Sequence, residues 1–336
     1  MSVVTMIVST CFIAETTVGV TFYKPFNDAL DDLRVSGSVL LHERYSPPWA
    51  IDIPDERVLR SALGAAPGVR VVPFHLVRHG SFDLRLSDGL PRKVDVHEVA
   101  ICPNGSAHRM QSDERAAPIA LTEVLANRGP PSEPDDPTAT ELICGVFQLS
   151  SGPLNPLLSA LPDVLKVKTA GPDVGPLLDH ATAMLGIEVA KGQSSFVGSR
   201  ILEVLFAEAV RTYGESEGAT VSGWFRALGD SRIGRALSQL HERPGTPWTV
   251  AMLAETIPMS PSRFAARFRE VTGQTVMAYA AGWRMTIACR RLRESDACLA
   301  DVACAAGYRD TASFSRAFKA LVGQSPAAWR SAQRRR

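Results

Sequence analysis

Residues 263–275, RFAARFREVTGQT, and residues 313–325, SFSRAFKALVGQS, are one segment used twice at an offset of 50. Phe264 recurs as Phe314, Phe268 as Phe318, Gly273 as Gly323 and Gln274 as Gln324. Arg269 recurs as Lys319 and Thr275 as Ser325. A repeat within one chain is one supersecondary unit built twice. Paired Phe at i, i+4 with a glycine behind them predicts an amphipathic helix that stops at that glycine.

The surroundings of each copy extend the unit to a helix-turn-helix. Thr249 is placed to cap a helix over Val250–Ile257, whose Val250, Leu253, Ala254 and Ile257 follow the i, i+3, i+4, i+7 spacing of one buried face. Pro258 and Met259 break it, Ser260 offers a second cap and Pro261 suits the first helical position. The next helix turns Phe264, Phe268 and Val271 inward and shows Ser262, Arg263, Ala266, Arg267 and Glu270 outward. In the second unit Leu299, Val302, Ala303 and Ala306 repeat the spacing and Gly307 provides the turn. Asp310 or Thr311 caps a helix with Phe314, Phe318 and Leu321 inward and Ser313, Arg316, Lys319 and Ala320 on the other side. Pro326 opens a short closing helix through Trp329 and Arg330. Helix, tight turn, cap and second helix is the helix-turn-helix order.

Residues 276–294 read as a single helix joining the units, with Trp283, Ile287 and Leu292 among its apolar positions. At about 1.5 Å per residue it is roughly 28 Å long. Successive turns of the B-DNA major groove lie about 34 Å apart, so such a strut suits two helices gripping one face of a duplex. The alternative for this region is a plain all-helical bundle.

That alternative would require the repeat, both caps, both stop glycines and the charge pattern to coincide, and charge supports DNA. From Trp224 to Arg336 there are 18 Arg and Lys against 8 Asp and Glu, a net of +10, while the first 223 residues carry 18 against 27, a net of −9. The overall +1 hides a strongly basic C-terminal third, the electrostatic footprint of nucleic-acid binding. Thirty of the 36 basic residues are Arg, which favours bidentate contacts to phosphate or guanine.

The stretches WTVAMLAETIPMSPSRFAARFREVTGQ, WRMTIACRRLRES and LADVACAAGYRDTASFSRAFKALVGQSPAAWR, within residues 248–331, resemble the DNA-binding domain of AraC/XylS-type bacterial transcription regulators. Gly307, Tyr308, Phe314, Arg316, Phe318 and Pro326 carry the resemblance. It implies two helix-turn-helix units on a linker helix, each second helix entering the major groove, and no enzymatic activity. One departure stands out. The family commonly has Arg two residues before the second Phe of each reading helix; Arg316 keeps it, but the first unit has Ala266. The expected DNA contacts are Ser260, Ser262, Arg263, Ala266, Arg267 and Arg269 in one unit, and Asp310, Thr311, Ser313, Arg316 and Lys319 in the other.

Length predicts about two domains. Over residues 25–190, the segments 69–77, 81–86, 94–101 and 142–149 alternate and are separated by Gly, Pro, Asp and Asn turns, a pattern of sandwiches and barrels. The stretches LRVSGSVLLHERYSPPWAIDIP, FHLVRHGSFDLRL, ICPNGSAHRM and LICGVFQL resemble the cupin-like sensor domain of one AraC-type subgroup. The expected architecture is thus α+β multidomain: residues 1–24 an unassigned extension, 25–190 a cupin-like β-barrel, 191–222 a helical linker, and 223–332 the double helix-turn-helix domain. Within the linker, 199–211 is an amphipathic helix with Ile201, Leu205 and Leu202 on one side. Family analogy makes it a dimer contact; the alternative is a helix packed on its own barrel. The 129–137 stretch, GPPSEPDDP, reads as a loop without chemistry.

His75, His108, Cys102 and Cys144 mark a candidate effector pocket, since the resemblance places the two His in or near the barrel interior and the two Cys on neighbouring strands. They could serve a soft metal or thiol redox chemistry, but the favoured reading is buried His and Cys that satisfy hydrogen bonds or fill core. However, the paired His with a following carboxylate usual in metal-binding cupins is missing: 74–79 reads FHLVRH, and His97–Glu98 stands alone. The reading therefore includes no metal and no cofactor. The six cysteines, Cys11, Cys102, Cys144, Cys289, Cys298 and Cys304, show no C-x-x-C pair and fit a reducing cytosol. The first Lys or Arg is Lys24, so residues 1–14 lack the basic start of a signal peptide, and no apolar run is long enough to span a bilayer.

These observations predict a cytoplasmic, non-enzymatic regulator that binds double-stranded promoter or operator DNA. Its partners would be a small effector, RNA polymerase and a second copy of itself, with no membrane. The alternatives are a cupin-type enzyme or redox/metal sensor fused to a DNA anchor, and an architectural DNA-binding protein without an effector.

Overall fold

The computed structural model describes residues 17–334 apart from 67, 88, 129–135, 173, 192–194 and 217–222, with side chains placed from Lys24 to Gln333. Cys11, the start of the chain, most of the 129–137 loop and the last two arginines lie outside the described residues. The chain divides into two compact units. Of the described residues, one unit holds those within 35–150 and 161–213, and the other those within 17–34, 151–160 and 214–334. Residues 25–34 and 151–160, which fall within the expected cupin-like stretch, thus group with the helices.

The β unit has two five-stranded sheets. The first runs in the order β1 (Arg34–Tyr45), β9 (Thr140–Ser150), β3 (Arg70–His79), β6 (Glu98–Ile101) and β10 (Leu165–Lys168). The second runs in the order β5 (Arg92–Asp95), β4 (Ser81–Leu86), β7 (His108–Gln111), β2 (Ala50–Ile53) and β8 (Pro118–Ala120). The barrel core lies between them: Ile51, Phe82, Leu84 and Met110 from one sheet meet Val71, Val77, Ala100 and Val146 from the other.

The segment 94–101 expected as one strand is two. A turn at Val96–His97, with His97 at φ 61, sends β5 into one sheet and β6 into the other. A non-glycine residue in left-handed conformation ends an extended run. Strand β3 does not alternate, because both its faces are covered. On its outer face Phe74 stacks on Phe147 at 4.7 Å, and Phe147 meets Phe206 of helix α6 (Phe196–Ser216) edge-on at 5.1 Å. Ile201, Leu202 and Leu205 of α6 are buried as well. Backbone contact there is so close that a Cβ on Gly37 of β1 would sit 2.5 Å from the Leu202 Cβ. Of the two readings of this apolar side, a dimer contact or a helix packed on its own barrel, the second holds for Ile201, Leu202, Leu205 and Phe206. The unit also contains α2 (Glu56–Ala62), a short turn α3 (Leu121–Glu123) and α5 (Pro176–Ala190).

The helical unit comprises α1 (Thr17–Asp32), α4 (Pro156–Ala160), α7 (Gly223–Gly229), α8 (Ser231–Glu242), α9 (Val250–Glu255), α10 (Pro261–Thr272), α11 (Val276–Glu294), α12 (Leu299–Ala305), α13 (Thr311–Val322) and α14 (Pro326–Arg334). Helix α11 covers the predicted 276–294. It serves two cores: Tyr279 meets Phe268 edge-on at 5.8 Å, while Met285, Ala288, Cys289 and Leu292 pack with Phe314 and Phe318. Helix α1 packs on α7 and α8 and closes a buried polar chain. Trp224 Nε1 donates to Tyr279 Oη at 2.9 Å, so the Tyr279 hydroxyl proton goes to His241 Nε2 at 2.7 Å. His241 then carries its proton on Nδ1, 3.4 Å from the Asp28 carboxylate. No helix among the described residues is long and apolar enough to cross a membrane.

Candidate nucleic-acid interface and barrel cavity

The first reading unit starts at Thr249, whose hydroxyl accepts the Met252 N–H at 3.2 Å. Leu253, Ala254 and Ile257 are buried beneath it and Val250 is half-buried. Ser260 stands at the cap position in extended conformation without a side-chain cap bond, and Pro261 opens α10. Phe264, Phe268 and Val271 go to the core as their spacing requires. That leaves Ser260, Ser262, Arg263, Ala266 and Arg269 exposed along one side.

Arg267 behaves differently from its neighbours. Its Nε and Nη2 donate to Asp230 Oδ2 at 3.1 and 3.0 Å, and its Nη1 donates to Glu270 Oε1 at 2.9 Å. Asp230 is itself the N-cap of α8 and accepts the N–H groups of Arg232 and Ile233 at 3.0 and 3.1 Å. Burial opposes ionisation of Asp230, but those two N–H groups and the guanidinium together hold its carboxyl below the ordinary range. Sequence reasoning did not find Asp230. Its place before an amphipathic segment announces a cap, but its partner lies 37 residues away and leaves no local trace.

The second unit follows the same plan. Cys298 caps α12, and Val302, Ala303 and Ala306 are buried. Gly307 turns at φ +80, where an added Cβ would stand 2.7 Å from the Gly245 carbonyl oxygen. Asp310 caps α13 by accepting the Ser313 N–H at 2.7 Å. Thr311, Arg316 and Lys319 are exposed, and Arg316 Nη2 donates to Ser313 Oγ at 3.2 Å. Leu321, expected inward, is exposed instead, and the half-buried Val322 packs on the core. The first unit buries the matching Val271 because α10 also packs on α7. Helix α13 packs on α11, α12 and α14, and its core stripe follows i+4 steps from Phe314 through Phe318 to Val322.

In the β unit His75, His108, Cys102 and Cys144 come together, but as a closed cluster. The two Nε2 atoms are 2.8 Å apart, and Cys102 Sγ is 3.9 Å from His108 Nε2. Cys144 faces His75 across the β3–β9 register. His108 Nδ1 lies 2.8 Å from the Ser106 carbonyl and donates to it, so His108 Nε2 accepts and His75 Nε2 donates. All four side chains are buried. Burial drives both imidazoles towards the neutral form, aided at His75 by the facing His108, and pushes the Cys102 thiol up to about 12. Protonated buried thiols are inert as nucleophiles.

His108 also forms one wall of a cavity of about 690 Å³ at the end of the second sheet. Ile53, Val58, Leu86 and Leu121 supply its apolar lining and Arg85 a cation. Beside it Arg109 is held by Asp52, with Nε and Nη2 donating at 2.7 and 3.1 Å.

Comparison with known proteins matches residues 24–215 to a Cupin family and residues 253–332 to a Helix-turn-helix domain family. A "Putative AraC-like transcription regulator" of Streptomyces lividans is 31% identical over 268 residues, covering 78% of this chain and 87% of that protein. The HTH-type transcriptional regulator AlkR of Acinetobacter baylyi is 26% identical, covering 89% and 96%. Among solved structures, the DNA-binding domain of AdpA, in complex with a target DNA, is similar at 31% identity and TM-score 0.29, covering 30% of this chain and 90% of that one. ToxT from Vibrio cholerae aligns at 11% identity and TM-score 0.37, covering 90% and 98%. With a cupin domain followed by paired helix-turn-helix units, and with kinship to such proteins over most of its length, this chain belongs to the AraC-like DNA-binding transcription regulators.

Proposed function

We propose that α10 and α13 are the reading helices, entering two successive major grooves on one face of a DNA duplex, and that the barrel cavity receives a small effector. The carrying observation is the duplication itself. Each helix buries its Phe pair and leaves a polar or basic row outward: Ser262, Arg263, Ala266 and Arg269 in α10, and Thr311, Arg316 and Lys319 in α13. Their positions suit contacts to base edges, and Arg263, Arg269 and Lys319 also suit phosphate. Asp310 holds the start of α13, Ser260 stands exposed at the cap position of α10, and Ser313 steadies Arg316. Arg267 is left out of this set because its guanidinium is committed to Asp230 and Glu270. The cavity volume lies in the usual small-molecule range, about 300–1,000 Å³.

Fluorescence anisotropy on DNA from upstream of its own gene, titrated with salt, tests the reading. Selective binding over scrambled DNA is expected, with affinity falling linearly in log–log form as counterions are displaced. Indifference to sequence at every salt concentration, with the cavity empty or filled by screened small molecules, would defeat it.

A further inference from the structure

We infer that Asp230 is a latch that keeps Arg267 off the DNA and thereby sets how the first half-site is read. The inference rests on α10 being a reading helix. Three of the five guanidinium N–H groups are spent on two carboxylates. The Asp230 side chain is only 16% exposed and that of Arg267 only 35%, so this is not a solvent-loosened surface pair of negligible worth. Glu270 adds a second negative charge at 57% exposure. Two carboxylates around one guanidinium leave a local net charge of −1 on a helix that must approach polyanionic DNA.

The latch also shapes the surface. With Arg267 drawn towards α8, Ala266 lies in an open groove of about 700 Å³ bounded by Arg232, Met259 and Arg263. Arg232 and Arg263 are exposed, and neither carries an ion pair among the described residues. They flank the groove as the cations for phosphate, while the methyl of Ala266 faces it. In the second unit the position matching Ala266 is Arg316, and the position matching Arg267 is Ala317, so no guanidinium there needs to be held aside. The two half-sites are therefore read by different means: the second by an exposed Arg, the first by a small apolar contact beside a restrained Arg.

The test is the salt slope of DNA binding by full-length protein, on an operator and on a scrambled duplex. R267A should leave the slope unchanged on both, since Arg267 touches no phosphate. D230N keeps the cap of α8, because Asn caps as well as Asp. It should free Arg267 and steepen the slope by about 0.9, which is roughly a threefold greater loss of affinity between 50 and 200 mM salt. D230N/R267A should return to the wild-type slope, which separates a released guanidinium from the mere removal of a negative charge. A slope shallower by about 0.9 in R267A would overturn the latch, as would a D230N gain that survives in the double variant, or no gain at all. Failure of wild-type protein to prefer operator over scrambled DNA would instead overturn the reading on which the latch rests.

Discussion

Arg316 stands exposed on α13 at the position where α10 carries Ala266. If it reads a base, Arg316→Ala costs about 1–3 kcal/mol of binding and relaxes selection at one operator position; if it meets phosphate, affinity drops evenly across sequences. Randomised-operator selection distinguishes the two. The same selection should show the half-site under α10 to be the less stringent, because Ala266 offers only van der Waals contact, as to a thymine methyl. Equal stringency at both half-sites would contradict the asymmetry. Three histidines make a separate prediction. His75, His108 and His241 are all depressed in the folded protein, each chiefly by burial. A histidine whose folded pKa lies below its unfolded value of about 6.5 binds fewer protons when folded, so its contribution is fully present above that pH and is lost as pH falls. Asp32, whose carboxyl is raised by burial despite Arg293, works the opposite way, but it is one group against three. Melting temperature should therefore decline from pH 7.5 to pH 5.5; a flat profile would show the three sites hydrated rather than buried.

At the level of the elements, the two turns of the reading units differ in what they tolerate. Gly307 and Gly323 both adopt left-handed φ, at +80 and +86. A side chain at Gly323 meets open space, whereas at Gly307 it meets the Gly245 backbone at 2.7 Å. Gly323→Ala should cost only the left-handed strain of about 1–2 kcal/mol. Gly307→Ala should cost clearly more, because the opposing atoms are backbone and cannot swing away. Denaturant unfolding of the two variants measures the difference, and equal losses would mean the loop at Gly245 yields. The helix α6 face carries a related lesson. Its amphipathic pattern is equally compatible with a partner or with its own sheet, and the stack from Phe74 through Phe147 to Phe206 decides for the sheet.

Across the whole chain, the helical unit is more than the contiguous C-terminal segment that the repeat delimits. Helix α1 brings Asp28 to within 3.4 Å of His241 Nδ1 and Asp32 to within 3.8 Å of the buried Arg293 guanidinium. Asn155 from the 151–160 segment donates to Asp32 at 3.1 Å and to the Ala29 carbonyl at 2.8 Å. A fragment spanning 223–336 loses all of these partners and leaves Arg293 only the half-exposed Glu294, at 3.1 Å. Removing one partner of a buried pair costs up to about 3–5 kcal/mol, so the fragment should unfold at a lower denaturant concentration than the full-length protein. Supplying residues 17–34 as a peptide should raise its midpoint, whereas an unshifted midpoint would mean that α1 is dispensable.

The sequence by itself determined the parts whose cause is local. Helix periodicity, the caps at Thr249 and Asp310, the stop glycines 273 and 323 and the span of α11 are all written within a few turns of chain, and each formed where expected. So were the outward positions of both reading helices, since a helix that buries its Phe pair must expose the opposite side. Tertiary structure alone decided what depends on residues far apart in the chain. Leu321 was left outside, and the half-buried Val322 took its place on the core. Strand 94–101 was split between two sheets at His97. Arg267 was paired with Asp230, α6 was seated on its own sheet, and α1 was given to the helical unit. Spacing within a segment fixes which face is apolar, but which surface arrives to cover that face, or which charge arrives to hold an arginine, is set only when distant segments meet.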